Sequence, residues 1–228
     1  VKPNEIDFAT VLASSVHDMK NSVSMLIASL QSVLVDMPLA NARQAEQINS
    51  LHYEASRINN ELVQLLSIYR MQQERLPMSI DQHFVIDILE DQVARNYPLI
   101  ESRKVSVCVD CDSNLEAYFD ADLVGSVIQN VLVNGCRYTK GRLLLRATLA
   151  DGAVCISVAD DGDGFPQGML DYPLRHRRGL GHSDSTQLGL YFASVIAQMH
   201  TEGERSGSIV LRNGEPLGGG VFEFYLPN

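Results

Sequence analysis

Along the first third of the chain, a seam of positions recurs every three or four residues. Phe8, Leu12, Ser15, Met19, Val23, Leu26, Leu30, Val33 and Met37 form this coiled-coil-like stripe, which predicts one long helix over 5–37. Two successive steps of four around Met19 should locally unwind the seam. Pro38 stops the helix, and Asn41 is a candidate cap for a second one reaching to about Arg75. That helix carries its own stripe on Ile48, Leu51, Ala55, Ile58, Leu62, Leu65 and Tyr69. Two long antiparallel helices with one narrow stripe each cannot enclose a core alone, so the pattern predicts a homodimeric four-helix bundle.

After Leu76-Pro77-Met78 the periodicity changes, which divides the chain into a hairpin domain over 1–76 and a second domain over 77–228. In the second domain, 83–102, 121–138 and 188–200 read as amphipathic helices. Runs at 105–109, 142–149, 154–159, 207–212 and 221–226 read as strands, with a hairpin at Asp151-Gly152. Residues 166–184 have little periodicity and read as a long mobile loop, of a length that is usually a functional lid or disordered. The fold class is α+β: a helical hairpin followed by a two-layer α/β sandwich with a mixed sheet.

Composition narrows the function. A net charge of −10 argues against a nucleic-acid partner. No apolar run approaches a membrane span and no signal peptide is visible, so membrane attachment could come only through a region preceding Val1. Cys108 and Cys111 form a CxxC without a second pair or a nearby His, so zinc is not indicated. Buried, reduced thiols are the favoured reading of the cysteines and suit a cytoplasmic protein.

Five short patterns carry candidate chemistry. His17 falls between stripe positions, on the flank of the predicted bundle, with Asp18 beside it and Asn21 one turn on. Asn130 and Asn134 share one face of a helix that ends in Arg137 and Tyr138; amide oxygens suit Mg²⁺ and a guanidinium suits phosphate. Asp160-Asp161-Gly162-Asp163-Gly164 ends a strand in acids and glycines, where backbone can approach a ligand. An EF-hand count from either Asp160 or Asp161 misses both the required Gly and the Glu, which argues against calcium. Ser185-Thr186-Gln187-Leu188-Gly189-Leu190 opens a helix whose N-terminus can receive phosphate. Gly218-Gly219-Gly220 leads into the last strand.

In this order the patterns resemble the catalytic core of sensor histidine kinases, over essentially the whole chain. The resemblance implies a dimerisation and histidine-phosphotransfer hairpin, then an ATP-binding domain of the fold shared with gyrase, Hsp90 and MutL. By that likeness His17 is the phosphoacceptor, Asp18 orients the imidazole, and Asn21 positions water for dephosphorylating a response regulator. Asn134 resembles the Mg²⁺ ligand, with Asn130, Arg137 and Tyr138 beside the nucleotide. Asp160 is similar to the acid that accepts from the adenine amino group, with Gly162 and Gly164 letting backbone approach. Thr186, Leu188 and Gly189 fall in the second glycine box, and 166–187 would form the ATP lid. The implied reaction is ATP-dependent autophosphorylation and transfer to a receiver-domain aspartate, with ATP and Mg²⁺ as cofactors.

The sequence departs from the family pattern in places. Ser22 stands where a proline is common, and Ser185 and Gln187 stand where the second box usually has glycine. If Gln187 needs φ > 0, it carries a penalty of roughly 1–2 kcal/mol. Two rivals stay open. One is a phosphotransfer or docking dimer with a vestigial ATP domain. The other is a clamp-type ATPase, although such enzymes place a Glu base where Asn130 stands, and an amide cannot serve as a base.

Overall fold

A computed structural model of the chain describes residues 8–36, 42–72, 78–150, 152–170 and 185–228. The chain divides into two compact units, Val1–Pro77 and Met78–Asn228.

The first unit holds helices α1 (Phe8–Asp36) and α2 (Ala42–Gln72), packed along one another. Helix α1 has 29 residues and is therefore about 43 Å long. The connection at 37–41 can reach only about 20 Å, so α2 must fold back along α1. Ser24 Oγ donates to Asn59 Oδ1 across the pair at 3.3 Å. The stripe on α2 splits into two series of seven-residue steps. Ile48, Ala55, Leu62 and Tyr69 are buried or half-buried. Leu51, Ile58 and Leu65 stay 59, 43 and 36 % exposed, and on α1 Met19 and Leu26 are 55 and 53 % exposed. The Pro38 stop, the Asn41 cap and the outermost predicted helical residues lie outside the described residues.

The second unit runs in the order β1 (Asp81–Phe84), α3 (Val85–Arg95), α4 (Tyr97–Ser102), β2 (Ser106–Cys111), β3 (Glu116–Phe119), α5 (Ala121–Tyr138), β4 (Arg142–Ala150) and β5 (Ala153–Asp160). It continues through α6 (Gln167–Leu170), α7 (Ser185–Met199), β6 (Thr201–Glu202), β7 (Arg205–Ser206), β8 (Ser208–Asn213) and β9 (Gly220–Pro227). The main sheet has the order β2-β4-β5-β9-β8, parallel only between β2 and β4, so it is mixed. One face is apolar: Leu143, Leu145, Val154, Ile156, Phe224 and Leu226 are almost fully buried, and α3, α5 and α7 pack against it. The alternate residues carry ion pairs, Arg146 with Asp110 and Arg212 with Glu223, each at 2.7 Å. This period-two division is what a two-layer sandwich requires.

Three local expectations change. The helix read over 83–102 is a short strand and two helices. Asn96 is buried, its Nδ2 donates to the Gln92 carbonyl at 2.7 Å, and Pro98 opens α4, so the first helix ends there. Strand β1 pairs antiparallel with β3, which the pattern did not reveal. Of the cysteines, Cys136 is buried and burial pushes its thiol up to about 11, but Cys108 is exposed. Cys108 and Cys111, three apart on a strand, point to opposite faces. In the predicted loop, 167–170 form one helical turn and 171–184 lie outside the described residues.

Candidate functional site

Helix α5 begins at Asp120, whose Oδ1 accepts from the Leu123 N–H at 3.0 Å and whose Oδ2 ties in the Ser79 N–H at 2.9 Å. Its apolar side buries Val124, Val127, Ile128, Leu132 and Cys136. An adjoining face presents Asn130, Asn134 and Tyr138, four residues apart, to a cavity of about 620 Å³. That is within the roughly 300–1,000 Å³ of small-molecule pockets. Val158 and Asp160 of β5, Phe222 of β9, Leu190 of α7, Gly164 and Phe165 just before α6, and Met169 within it also line the cavity. Gly189 sits behind Asn130: a Cβ there would lie 2.3 Å from the Asn130 Nδ2, so only glycine lets the amide take its place.

Asp160 is enclosed by glycines. Its Oδ1 accepts from the N–H groups of Gly162 (2.7 Å) and Gly220 (3.1 Å), and its carbonyl accepts from Gly219 (3.0 Å). A Cβ on Gly219 would lie 2.3 Å from Oδ1, and one on Gly162 would lie 2.3 Å from the Tyr138 carbonyl oxygen. Among the described residues no hydrogen bond reaches Asp160 Oδ2, so an acceptor is left at the edge of the cavity.

The neighbouring Asp161 faces away from this task. Its Oδ1 accepts from the Thr139 hydroxyl (2.5 Å) and from the N–H groups of Lys140, Gly141 and Arg142, and Oδ2 pairs with Arg142 Nε at 3.1 Å. Burial pushes this carboxyl upward, but the bonds from Thr139, Arg142 and Lys140 outweigh it and hold the group well below the usual carboxylate range. Asp161 thus staples the end of α5 to the acid-glycine turn. Asp163 is exposed and pairs with Lys140 Nζ at 2.7 Å.

In the first unit, the His17 side chain is 51 % exposed on α1. Its Nδ1 lies 3.3 Å from Asn21 Nδ2 and 3.9 Å from Asp18 Oδ1. Both neighbours crowd one ring nitrogen, and among the described residues no hydrogen bond reaches Nε2.

Residues 119–228 match the family model described as "Histidine kinase-, DNA gyrase B-, and HSP90-like ATPase". The chain carries a histidine kinase ATP-binding core. It is 24 % identical to the sensor histidine kinase GraS of Staphylococcus haemolyticus over 192 residues, 81 % of this chain and 53 % of that protein. It is 28 % identical to the alginate biosynthesis sensor protein KinB of Pseudomonas aeruginosa over 223 residues, 92 % of this chain and 35 % of that protein. The chain thus spans about half or less of these relatives. The solved structure of full-length ShkA in complex with AMPPNP shares its fold, with a TM-score of 0.65 and 21 % identity, covering 96 % of this chain and 45 % of that one.

Within this core, Asn130, Asn134, Tyr138, Asp160 and Gly164 come together on one cavity, although 34 residues separate the first from the last. Gly162 and Gly189 shape the cavity from behind its lining. Arg137 is exposed, stacked 5.3 Å over the Tyr138 ring, and does not line the cavity. Leu188 is half-buried while Leu190 lines the wall; the Thr186 side chain lies outside the described residues. Helix α7 runs through Gln187, so that position has ordinary helical backbone and the suspected φ > 0 penalty is not incurred. Sequence reasoning missed Asp161, Phe165, and the packing of Gly219 and Gly220 on Asp160. The Asp-Asp doublet and the glycine triplet were the available signals.

Proposed function

We infer that the chain is an ATP-dependent protein histidine kinase that phosphorylates His17 and passes the phosphoryl group to an aspartate of a response-regulator receiver domain. Residues 1–76 serve as the dimerisation and phosphotransfer hairpin, and 77–228 as the catalytic domain. The observation that carries this reading is Asp160 Oδ2, which no hydrogen bond reaches among the described residues, in a glycine-walled cavity, in a chain that also presents a half-exposed His17 whose two polar neighbours both sit at Nδ1.

The residues fit the implied cofactors. Asp160 Oδ2 can accept from an exocyclic amine, and Val158, Phe165, Met169, Leu190 and Phe222 offer apolar surface to a base. The amides of Asn130 and Asn134 are the hard-oxygen donors on the cavity wall. Among the described residues no cluster of three His, Cys, Asp or Glu could hold a metal, so Asn134 would share Mg²⁺ with phosphate oxygens. Bound Mg-ATP supplies the phosphoryl group and neutralises its charge. His17 attacks through Nε2, which requires the proton on Nδ1. The Asn21 carboxamide, turned to present its oxygen, accepts that proton's hydrogen bond, and Asp18 stabilises the charge that forms on the ring. Asn21 would also hold water for a regulator phosphatase activity.

The exposed Leu51, Ile58 and Leu65 series supports a second copy of the chain as the hairpin's partner, giving a four-helix bundle. No helix among the described residues is long and apolar enough to cross a membrane, and a cytoplasmic working place accords with a receiver-domain partner.

Purified chain with Mg²⁺ and γ-labelled ATP tests the reading. Acid-labile label on the protein is expected. Free phosphate alone would favour the clamp-type ATPase, and neither product would favour a docking dimer.

A further inference from the structure

The first large side chain after the two glycines of the acid-glycine turn is Phe165, and it forms part of the cavity wall. The sheet does not hold it. Pairing of β5 with β9 ends at Ala159 opposite Val221, and beyond Asp160 the chain has left the ladder. Gly164, at φ +81°, adds further freedom immediately before the ring. A wall residue in that position needs an external anchor.

Asn213 supplies one. It is the last residue of β8, in register with Gly220 of β9. Its Oδ1 accepts from the Phe165 N–H at 2.7 Å, and its Nδ2 donates to the Phe165 carbonyl at 2.9 Å. One carboxamide therefore satisfies both main-chain groups of one residue, as a neighbouring strand would. The amide also lies close against the turn: a Cβ on Gly164 would come within 2.8 Å of the Asn213 Cγ and Oδ1. The Phe165 ring borders Gly220, where an added Cβ would lie 3.0 Å from the ring and 2.9 Å from Asp160 Oδ2. Anchor, ring and the Asp160 carboxylate thus meet around one glycine. Asn213 itself does not line the cavity.

We propose that Asn213 is a positioning residue for nucleotide binding, acting through Phe165 to fix the wall beside Asp160. This rests on the nucleotide-binding reading above. The clamp acts at the end of the cavity near Asp160, and its hydrogen bonds go to Phe165 and not to the amides of Asn130 and Asn134. Its loss should therefore appear in the KM for ATP and in the affinity for ADP, with the labelling rate at saturating ATP preserved.

The test compares the full chain with Asn213→Ala, Asn213→Ser and Arg212→Ala. Arg212 is the adjacent strand residue, bonded to Glu223 and to the Glu215 carbonyl outside the cavity, and controls for loosening of the β8–β9 hairpin. Asn213→Ala should raise the ATP KM and the ADP Kd about five- to tenfold. Asn213→Ser, which can keep one bond, should raise them less, and Arg212→Ala should leave both unchanged. A partly unfolded variant would instead lose labelling rate at unchanged KM. An unchanged KM in Asn213→Ala, or an equal rise in Arg212→Ala, overturns the proposal. Wild-type chain that binds no ADP at all overturns the nucleotide-binding reading itself.

Discussion

The Nδ1 atom of His17 lies 3.3 Å from the carboxamide nitrogen of Asn21, one turn further along α1. The contact is made at Nδ1, and it is exposed. An exposed hydrogen bond of this kind contributes toward the low end of about 0.5–1.5 kcal/mol. His17→Ala should abolish acid-labile labelling, whereas Asn21→Ala should slow it only about threefold. Quantified label on the three proteins at equal ATP checks this. Label that persists in His17→Ala would assign the phosphoacceptor elsewhere.

The two series on α2 make separate predictions. Leu62 is half-buried within its own hairpin, so a charge there would disturb the subunit fold as well as any pairing. Ile58 is 43 % exposed and belongs to the outer series with Leu51 and Leu65. Ile58→Glu should therefore leave helix content intact while shifting the chain from dimer to monomer, because pairing would bury its carboxylate in an apolar seam. Light scattering at micromolar concentration reads the outcome. A wild-type monomer under those conditions would remove the case for the bundle.

Gly219 is predicted to be intolerant for a local reason. A Cβ there would lie 2.3 Å from Asp160 Oδ1, 2.5 Å from its carbonyl oxygen and 2.6 Å from the Gly162 nitrogen, and two of these three atoms are backbone. Gly219→Ala must shift the Asp160 carboxylate and should weaken ADP binding at least about tenfold. Gly203 serves as the contrast: it has φ +58° and open space around it. Gly203→Ala should cost about 1–2 kcal/mol of stability from backbone strain while leaving ADP affinity unchanged. Calorimetric titration with ADP and thermal unfolding of both variants separate the two effects.

These cases show where the sequence is readable. Helix α5 spans 121–138 as its pattern predicts, because an acid cap at Asp120 and a long apolar period specify it locally. Strands β1 and β3 are too short for a period to register: each has four residues, and only Ala117 and Phe119 are buried. The carboxylate at Asp160 stands out as an acid at a strand end. Its enclosure by Gly219 and Gly220 does not, because that contact joins positions some 60 residues apart through the β5–β9 pairing. The tie from Asn213 to Phe165 exists only once the sheet brings β8 beside the acid-glycine turn, so no local pattern marks it. Gln187 stands where the family pattern has glycine, but α7 begins at Ser185, three residues before the apolar pattern over 188–200, so the position is helical.

The last prediction concerns His200, which is 2 % exposed at the end of α7. Its Nε2 accepts from the Asp120 N–H at 3.1 Å, and its Nδ1 sits 2.8 Å from the Ile196 carbonyl, so the neutral ring with its proton on Nδ1 satisfies both contacts. A second proton on Nε2 would set two donors against each other at the residue that caps α5. Burial pushes the pKa of this imidazole below its ordinary value, against smaller upward pulls from the Ile196 carbonyl and Asp120. The unfolded chain takes up the proton near pH 6.5, while the folded chain does so only at lower pH. Between those values the unfolded state binds more protons, so stability rises with pH. The contribution of His200 is fully present above about pH 6.5 and is lost as the pH falls through that value toward the lower folded pKa. His200→Gln should lower stability by about 1–3 kcal/mol at pH 7.5, since at most one of the two buried hydrogen bonds is well replaced. Below pH 6.5 the gap between the two proteins should narrow, because the variant lacks this titration while sharing the other five histidines. Thermal midpoints of both proteins from pH 7.5 to 5 give the answer. A gap that stays constant across that range would mean that His200 does not stay neutral when the protein folds.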